Sequence, residues 1–287
     1  MQRRLILKAT LLAGAAAIAM TGLGAGPAAA QSKRVRLAYV EWSDAVVATN
    51  ILAKVLEDKG YQVTMTPLAA AAMWQAVATG EADGMAAAWL PATHASYYGQ
   101  LKDKVDLLGP NVSGAKIGWA VPSYSSLESI EDLKTKGAGV DGKVIGIDPG
   151  AGLMKASDKA IKEYALPVKL VDGSDATMTA ALKDAYDRKK DIVVTTWTPH
   201  WMFGRYDLKY LKDPKEVFGG EETVNTVARK GLDKDMPEVY KIMKNFKLSL
   251  TDEQKVMVQN EEKGIKPADT AAAWVKANAD KVKAWTN

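Results

Sequence analysis

The chain has 287 residues, no cysteine and two histidines, with 47% apolar and 25% charged residues. That is the composition of a folded globular protein, long enough for two cores of about 100–150 residues each. It excludes disulfides, thiolate metal sites, a thiol nucleophile and a multi-histidine metal site. Removing Arg3, Arg4 and Lys8 of the leader described next takes 38 basic residues to 35 against 34 acidic ones, so no basic surface for nucleic acid is indicated.

Residues 1–30 read as a signal peptide that is removed. Arg3, Arg4 and Lys8 form its basic start, Ala9 to Met20 an apolar stretch too short for a comfortable membrane span, and Ala28-Ala29-Ala30 a small-residue cleavage site before Gln31. The run QRRLILK approaches a twin-arginine signal, so both export routes stay open, and the general secretory route needs fewer assumptions. No cysteine follows the apolar stretch, so no lipid anchor is expected. The expected location is the periplasm.

The remainder alternates strand-like runs with amphipathic stretches, an α/β pattern. RVRLAYV (34–40) alternates like a strand, and Ser43 or Asp44 is placed to cap a helix whose apolar face is Val47, Leu52, Val55 and Leu56, stopped by Gly60. A strand at 62–67, a helix at 70–79 and an apolar run ending at Trp89 follow. A second set repeats the order: a strand at 143–147, the loop Asp148-Pro149-Gly150-Ala151-Gly152, and a helix at 153–164. Then come a strand at 168–171, a helix at 175–188 and a strand at 191–196 leading to Trp197. Residues 116–121 and 223–228 read as strands suited to crossings between two lobes, and helices are expected at 236–246, 252–264 and 268–285. The boundaries drawn are residues 31–121 with 225–287 for lobe 1, and 122–224 for lobe 2.

Trp42, Trp89 and Trp197 each end a strand, where ligands sit in open α/β sheets. Each can be core packing or the wall of a site. An indole face attracts cations, and a quaternary ammonium, which has no N–H to donate, is best met by such faces at about 0.5–2 kcal/mol each. The Asp148–Gly152 loop opens a helix and is either an ordinary turn or an anion cradle of backbone N–H groups; no Gly-Lys-Ser/Thr follows, so a nucleotide loop is not indicated. His94, five residues after Trp89, is either structural or a donor to the same anion. His200 reads as structural, and Asp44, Asp83, Asp148 and Asp175 read as caps and turn residues. Trp74, Trp119, Trp201, Trp274 and Trp285 read as packing. No nucleophile–base pair or carboxylate dyad stands out, so the chain is not read as an enzyme, and no cofactor or metal is expected.

The segments LAYVEWSDAVVATN, MAAAWLPATHASYY, IGIDPGAGLMKASDKAIKEY, VVTTWTPHWMFGRYDLKYLKDPKEVFGG and TVARKGL closely resemble the glycine betaine-binding proteins of osmoprotectant ABC importers. The likeness runs from Arg34 to the C-terminal helix. It implies a two-lobed periplasmic-binding-protein fold, type II-like, with hinge crossings between lobes. It also implies a prism of Trp42, Trp89 and Trp197 around a trimethylammonium group, and a carboxylate held by the amides of Gly152 and Leu153 and the imidazole of His94. Leu153 stands where relatives carry another aliphatic residue, which leaves a backbone contact unaffected. The implied partners are a small betaine and a membrane permease with its ATPase, and a monomer is the default. The alternative is the same fold binding proline betaine, carnitine or choline. An aromatic cage implies an affinity rather insensitive to pH.

Overall fold

In the computed structural model, residues 33–287 are described; the expected signal peptide, 1–30, lies outside them. The first lobe starts with β1 (Arg34–Tyr39), α1 (Ser43–Asp58), β2 (Gln62–Pro67), α2 (Ala70–Thr79), β3 (Gly84–Leu90) and α3 (Ala95–Leu101). β1 pairs in parallel with β2 and β3. α1 buries far more than one stripe, from Asp44 to Leu56, because β1, β2 and β3 and the later helices Leu250–Asn260 and Pro267–Ala277 all pack against it. It ends where Gly60 takes φ +88°, a conformation glycine adopts without strain.

β4 (Val105–Pro122) runs through both lobes. Its first part pairs antiparallel with β9 (Glu222–Arg229), and its second part with β7 (Val194–Thr198) and β8 (Leu208–Tyr210). Sequence reading found only 116–121 of it, because Gly109, Pro110 and Gly114 read as turns. They sit instead at the register shifts by which the strand stays paired to β9.

The second lobe follows as α4 (Leu133–Lys136), β5 (Lys143–Ile145), α5 (Gly152–Glu163), β6 (Lys169–Val171) and α6 (Asp175–Asp187), then β7, α7 (Met202–Arg205) and β8. β5 pairs in parallel with β6 and β7. After β9 come α8 (Leu232–Asp235), α9 (Pro237–Asn245), α10 (Leu250–Asn260), α11 (Pro267–Ala277) and α12 (Ala279–Thr286). The expected single helix over 268–285 breaks at Asn278, whose side-chain amide bonds the Trp274 carbonyl at 2.9 Å and so competes with the helix.

The strand order is β2-β1-β3-β9-β4-β7-β5-β6, with β8 on β4. Parallel strands at each end and antiparallel β9 and β4 between them make the two-lobed periplasmic-binding-protein architecture. Among the described residues no helix is long and apolar enough to cross a membrane.

Candidate ligand-binding site

Both Trp-x-Pro corners carry a cis peptide, Leu90–Pro91 and Thr198–Pro199. In the first, β3 bulges between Met85 and Ala88, and two buried side-chain amides take the carbonyls there. Asn111 donates to Ala86 O at 3.1 Å, and Asn225 to Ala88 O at 3.1 Å. The turn itself hangs on buried Glu222, which accepts the N–H of Ala92 and Thr93 at 3.0 and 2.9 Å and the Thr93 hydroxyl. Trp89 is thus fixed by groups far off in sequence.

The three indoles converge on one small cavity, lined also by Asp44, Thr93, Ile117, Ile147, Ala151, Gly152 and Leu153. Each indole is 3–6% exposed, and each N–H is taken by a carboxylate. Trp42 donates to Asp148 Oδ1 at 2.8 Å, Trp89 to Asp44 Oδ2 at 3.3 Å, and Trp197 to Asp44 Oδ1 at 3.0 Å. With the polar edges occupied, apolar ring surface is left for the cavity. Asp44 therefore joins an indole from each lobe.

Asp44 is 1% exposed. Burial, and then the neighbouring Asp175, push its carboxyl up to about 6, against the opposing pull of His200, its own backbone N–H and the Trp89 indole. The N-cap of α1 is Trp42, without a side-chain cap. Ser43 and Asp44 are therefore inside the helix, and the expectation that one of them caps it is corrected: the Asp44 carboxylate serves the indoles instead.

The other end of the cavity is the start of α5. Gly152 and Leu153 occupy its first turn, where N–H groups have no acceptor within the helix. Gly152 is required by packing: a Cβ there would lie 2.1 Å from the Thr93 carbonyl oxygen of the opposite lobe. Tyr97, also of that lobe, donates its hydroxyl to Gly150 O at 2.6 Å.

His94 is not itself among the lining residues. It is fully buried. Its Nδ1 accepts the Trp89 backbone N–H at 3.1 Å and the Trp74 indole N–H at 3.4 Å, and its ring centroid is 5.8 Å from that of Trp42. An accepting Nδ1 assigns the proton of the neutral ring to Nε2, and Nε2 is buried with no partner. Burial, reinforced by Lys155, pulls the pKa down to about 3, so the ring stays neutral at physiological pH. His94 is a buried neutral donor in want of an acceptor.

His200 differs. Its Nδ1 accepts the Met202 N–H at 3.1 Å and its Nε2 bonds Asp175 Oδ1 at 3.0 Å, so both nitrogens are satisfied. Of the residues singled out from the sequence, Trp42, Trp89, Trp197, Gly152 and Leu153 line the cavity together, and His94 does not line it but packs against Trp42 and Trp89. Asp44, Asp148, Asp175 and Glu222 were read as caps or passed over. Trp74, read as packing, is core and also fixes His94.

Residues 33–277 match the OpuAC family, the substrate-binding domain of ABC-type glycine betaine transport systems. The chain belongs to that family. It is 42% identical over 166 residues to the glycine betaine/carnitine transport binding protein GbuC of Listeria monocytogenes, an alignment over 57% of this chain and 55% of that protein, so the chain spans about half the length of that relative. Among solved structures it resembles lactococcal OpuAC in its closed, glycine betaine-bound conformation, with a TM-score of 0.85, 43% identity and coverage of 88% of this chain and 99% of that one. It also resembles ProX from Borrelia burgdorferi (TM-score 0.86, 36% identity, 88% and 97% covered). A choline-binding protein in complex with choline is more distant (TM-score 0.82, 25% identity, 88% and 91% covered). By that family it is a substrate-binding domain of the ABC-type glycine betaine transport class.

Proposed function

We propose that this OpuAC-family protein binds glycine betaine in the cleft between its lobes and hands it to an inner-membrane permease driven by an ATPase, for uptake of a compatible solute. The observation that carries this reading is the cavity's two-ended chemistry. Three indoles gathered round a buried carboxylate suit a trimethylammonium group, and the helix-start amides of Gly152 and Leu153 with the unpartnered Nε2–H of His94 suit a carboxylate. In this reading residues 1–30 direct export to the periplasm, and the protein acts as a reversible binder that catalyses no reaction.

Calorimetry with glycine betaine, proline betaine, carnitine and choline tests it. Glycine betaine is expected to bind tightest. Choline, which leaves the carboxylate-binding donors unpaired, should lose about 1–3 kcal/mol for each buried donor. Trp197→Ala, which removes one cage wall and one Asp44 donor, should weaken betaine binding about 100-fold. Choline binding as tightly as betaine would move the assignment to a hydroxylated amine.

A further inference from the structure

The second corner's histidine takes no part in the cavity, yet it is wholly buried. Its Nε2 meets Asp175 Oδ1 at 3.0 Å, and with Nδ1 accepting the Met202 N–H the neutral ring's proton belongs to Nε2, donated to the carboxylate. The Trp197 ring stands edge-on to the imidazole with centroids 4.4 Å apart. Asp175 opens α6 of the second lobe, and its other oxygen, Oδ2, accepts the backbone N–H of Ser43 at 2.9 Å, 132 residues away in the first lobe. Ser43 is the first residue of α1, one of the four whose N–H lacks a partner within the helix. Asp175 therefore caps a helix of the opposite lobe. The same turn carries Asp44, which accepts the Trp197 indole. A circuit results: Asp44 to Trp197, Trp197 against His200, His200 to Asp175, Asp175 to Ser43, and Ser43 next to Asp44.

We propose that Asp175, oriented by His200, is the latch that holds the lobes shut on the ligand, by capping α1 across the cleft when the lobes meet. An N–H···O bond of this length between lobes breaks as soon as they part, so the bond stabilises the closed state and leaves the open one untouched. The contact reaches backbone and touches no ligand. It sets how long the ligand stays and leaves selectivity among ligands to the cage and the carboxylate end. Asp175 and His200 are positioning residues. The latch rests on the reading of this cleft as the ligand site.

Two variants remove the bond from opposite sides. Asp175→Ala deletes the acceptor. Ser43→Pro deletes the donor at a first helical position that proline favours, after Trp42, whose extended φ −85°, ψ 144° already suits a residue before proline. Stopped-flow tryptophan fluorescence with glycine betaine is expected to show dissociation about tenfold faster in each variant, an unchanged association rate, and an unchanged ratio of betaine to proline betaine affinity. The double variant should be no worse than Asp175→Ala alone, because the bond that Ser43→Pro deletes is already gone there. Additive losses, an altered ligand ratio, or wild-type dissociation in Ser43→Pro would overturn the latch, and Ser43→Pro decides should Asp175→Ala fail to fold. If the wild type does not bind glycine betaine, the ligand assignment falls by itself, and the same kinetics are read with whichever of carnitine, proline betaine or choline it does bind. A wild type that binds none of them overturns both readings.

Discussion

The two Trp-x-Pro corners have nearly the same residues and opposite wiring. Each ends a buried strand, each turns through a cis proline, and each has a buried histidine behind it. In the first corner the imidazole folds back on the tryptophan that precedes it, accepting the Trp89 N–H, and its other nitrogen is buried without a partner. In the second, the imidazole is two residues closer in sequence, and both nitrogens are used, by Met202 and Asp175. A spare buried donor costs about 1–3 kcal/mol and makes sense where a ligand supplies the acceptor. A satisfied one is scaffold. On the proposed reading, the same residue types serve recognition in one corner and closure in the other.

The sharpest way to break the comparison is at the point where the first corner touches the second lobe. Gly152→Ala would set a Cβ 2.1 Å from the Thr93 carbonyl oxygen and 2.6 Å from its methyl group. The carbonyl is backbone, and the turn that carries it is held by Glu222, so neither partner yields cheaply. Alanine is a good helix former at the first turn, so the open protein keeps its stability. The expected outcome is loss of betaine binding by more than about 100-fold with a thermal midpoint, measured without ligand, within a few degrees of wild type. Retained binding would show that the lobes close without that approach.

Next in size is the exchange of roles between the histidines. His94→Ala removes the spare donor and should weaken glycine betaine about 10- to 100-fold, the range of a hydrogen bond to a charged group, while choline affinity changes little. His200→Ala should weaken both ligands by a similar factor, because it acts through closure. Calorimetric affinities for the two ligands on the two variants check this. A betaine-selective loss in His200→Ala would erase the distinction between the corners.

The parts that were legible in the sequence have two sources. Trp42, Trp89 and Trp197 are scarce residues at strand ends, so local pattern offers them as cleft candidates beside a packing role, whereas His94 and Gly152 were given a ligand role by the family resemblance. The carboxylates were not legible in this way. Asp44 meets Trp89 and Trp197 across 45 and 153 residues, Asp148 meets Trp42 across 106, and Asp175 meets Ser43 across 132. An aspartate just inside a helix start reads as a cap or a dipole partner, and only the fold shows that another chain segment claims it. The first half of β4 was lost for the complementary reason, that tertiary pairing with β9 overrides its local turn signals, and the break at Asn278 because a local side-chain bond to the Trp274 carbonyl interrupts a helical pattern.

The smallest effect expected concerns pH, and it comes from the residue that joins the two corners. Indoles titrate nothing, so a cage of tryptophans alone gives an affinity indifferent to pH; Asp44 adds a group that titrates. Its carboxyl is pushed from 3.8 up to about 6 by burial and by Asp175, with His200 opposing. Glu253 of α10 is likewise raised well above the ordinary glutamate range, by its own burial and then by Asp44. A folded pKa above the unfolded one means that Asp44 contributes stability below about 4, and that this contribution is lost as the pH rises through 6. His94 has the opposite sign: its folded pKa of about 3 lies below the ordinary 6.5, so its contribution is present above 6.5 and is lost as the pH falls through 3. Between these limits the two oppose each other in the ligand-free protein. Binding uncouples them, because a trimethylammonium group in the cage favours ionised Asp44 and lowers its pKa. Betaine affinity should therefore fall about fivefold between pH 7 and pH 5, for a shift of about one unit on binding. Calorimetry in buffers of different ionisation enthalpy should show protons released on binding near pH 6, and Asp44→Asn should abolish that release. An affinity flat from pH 7 to pH 5 in the wild type would mean that Asp44 keeps its proton equilibrium unchanged when the cage fills, and that the indoles alone carry the cation.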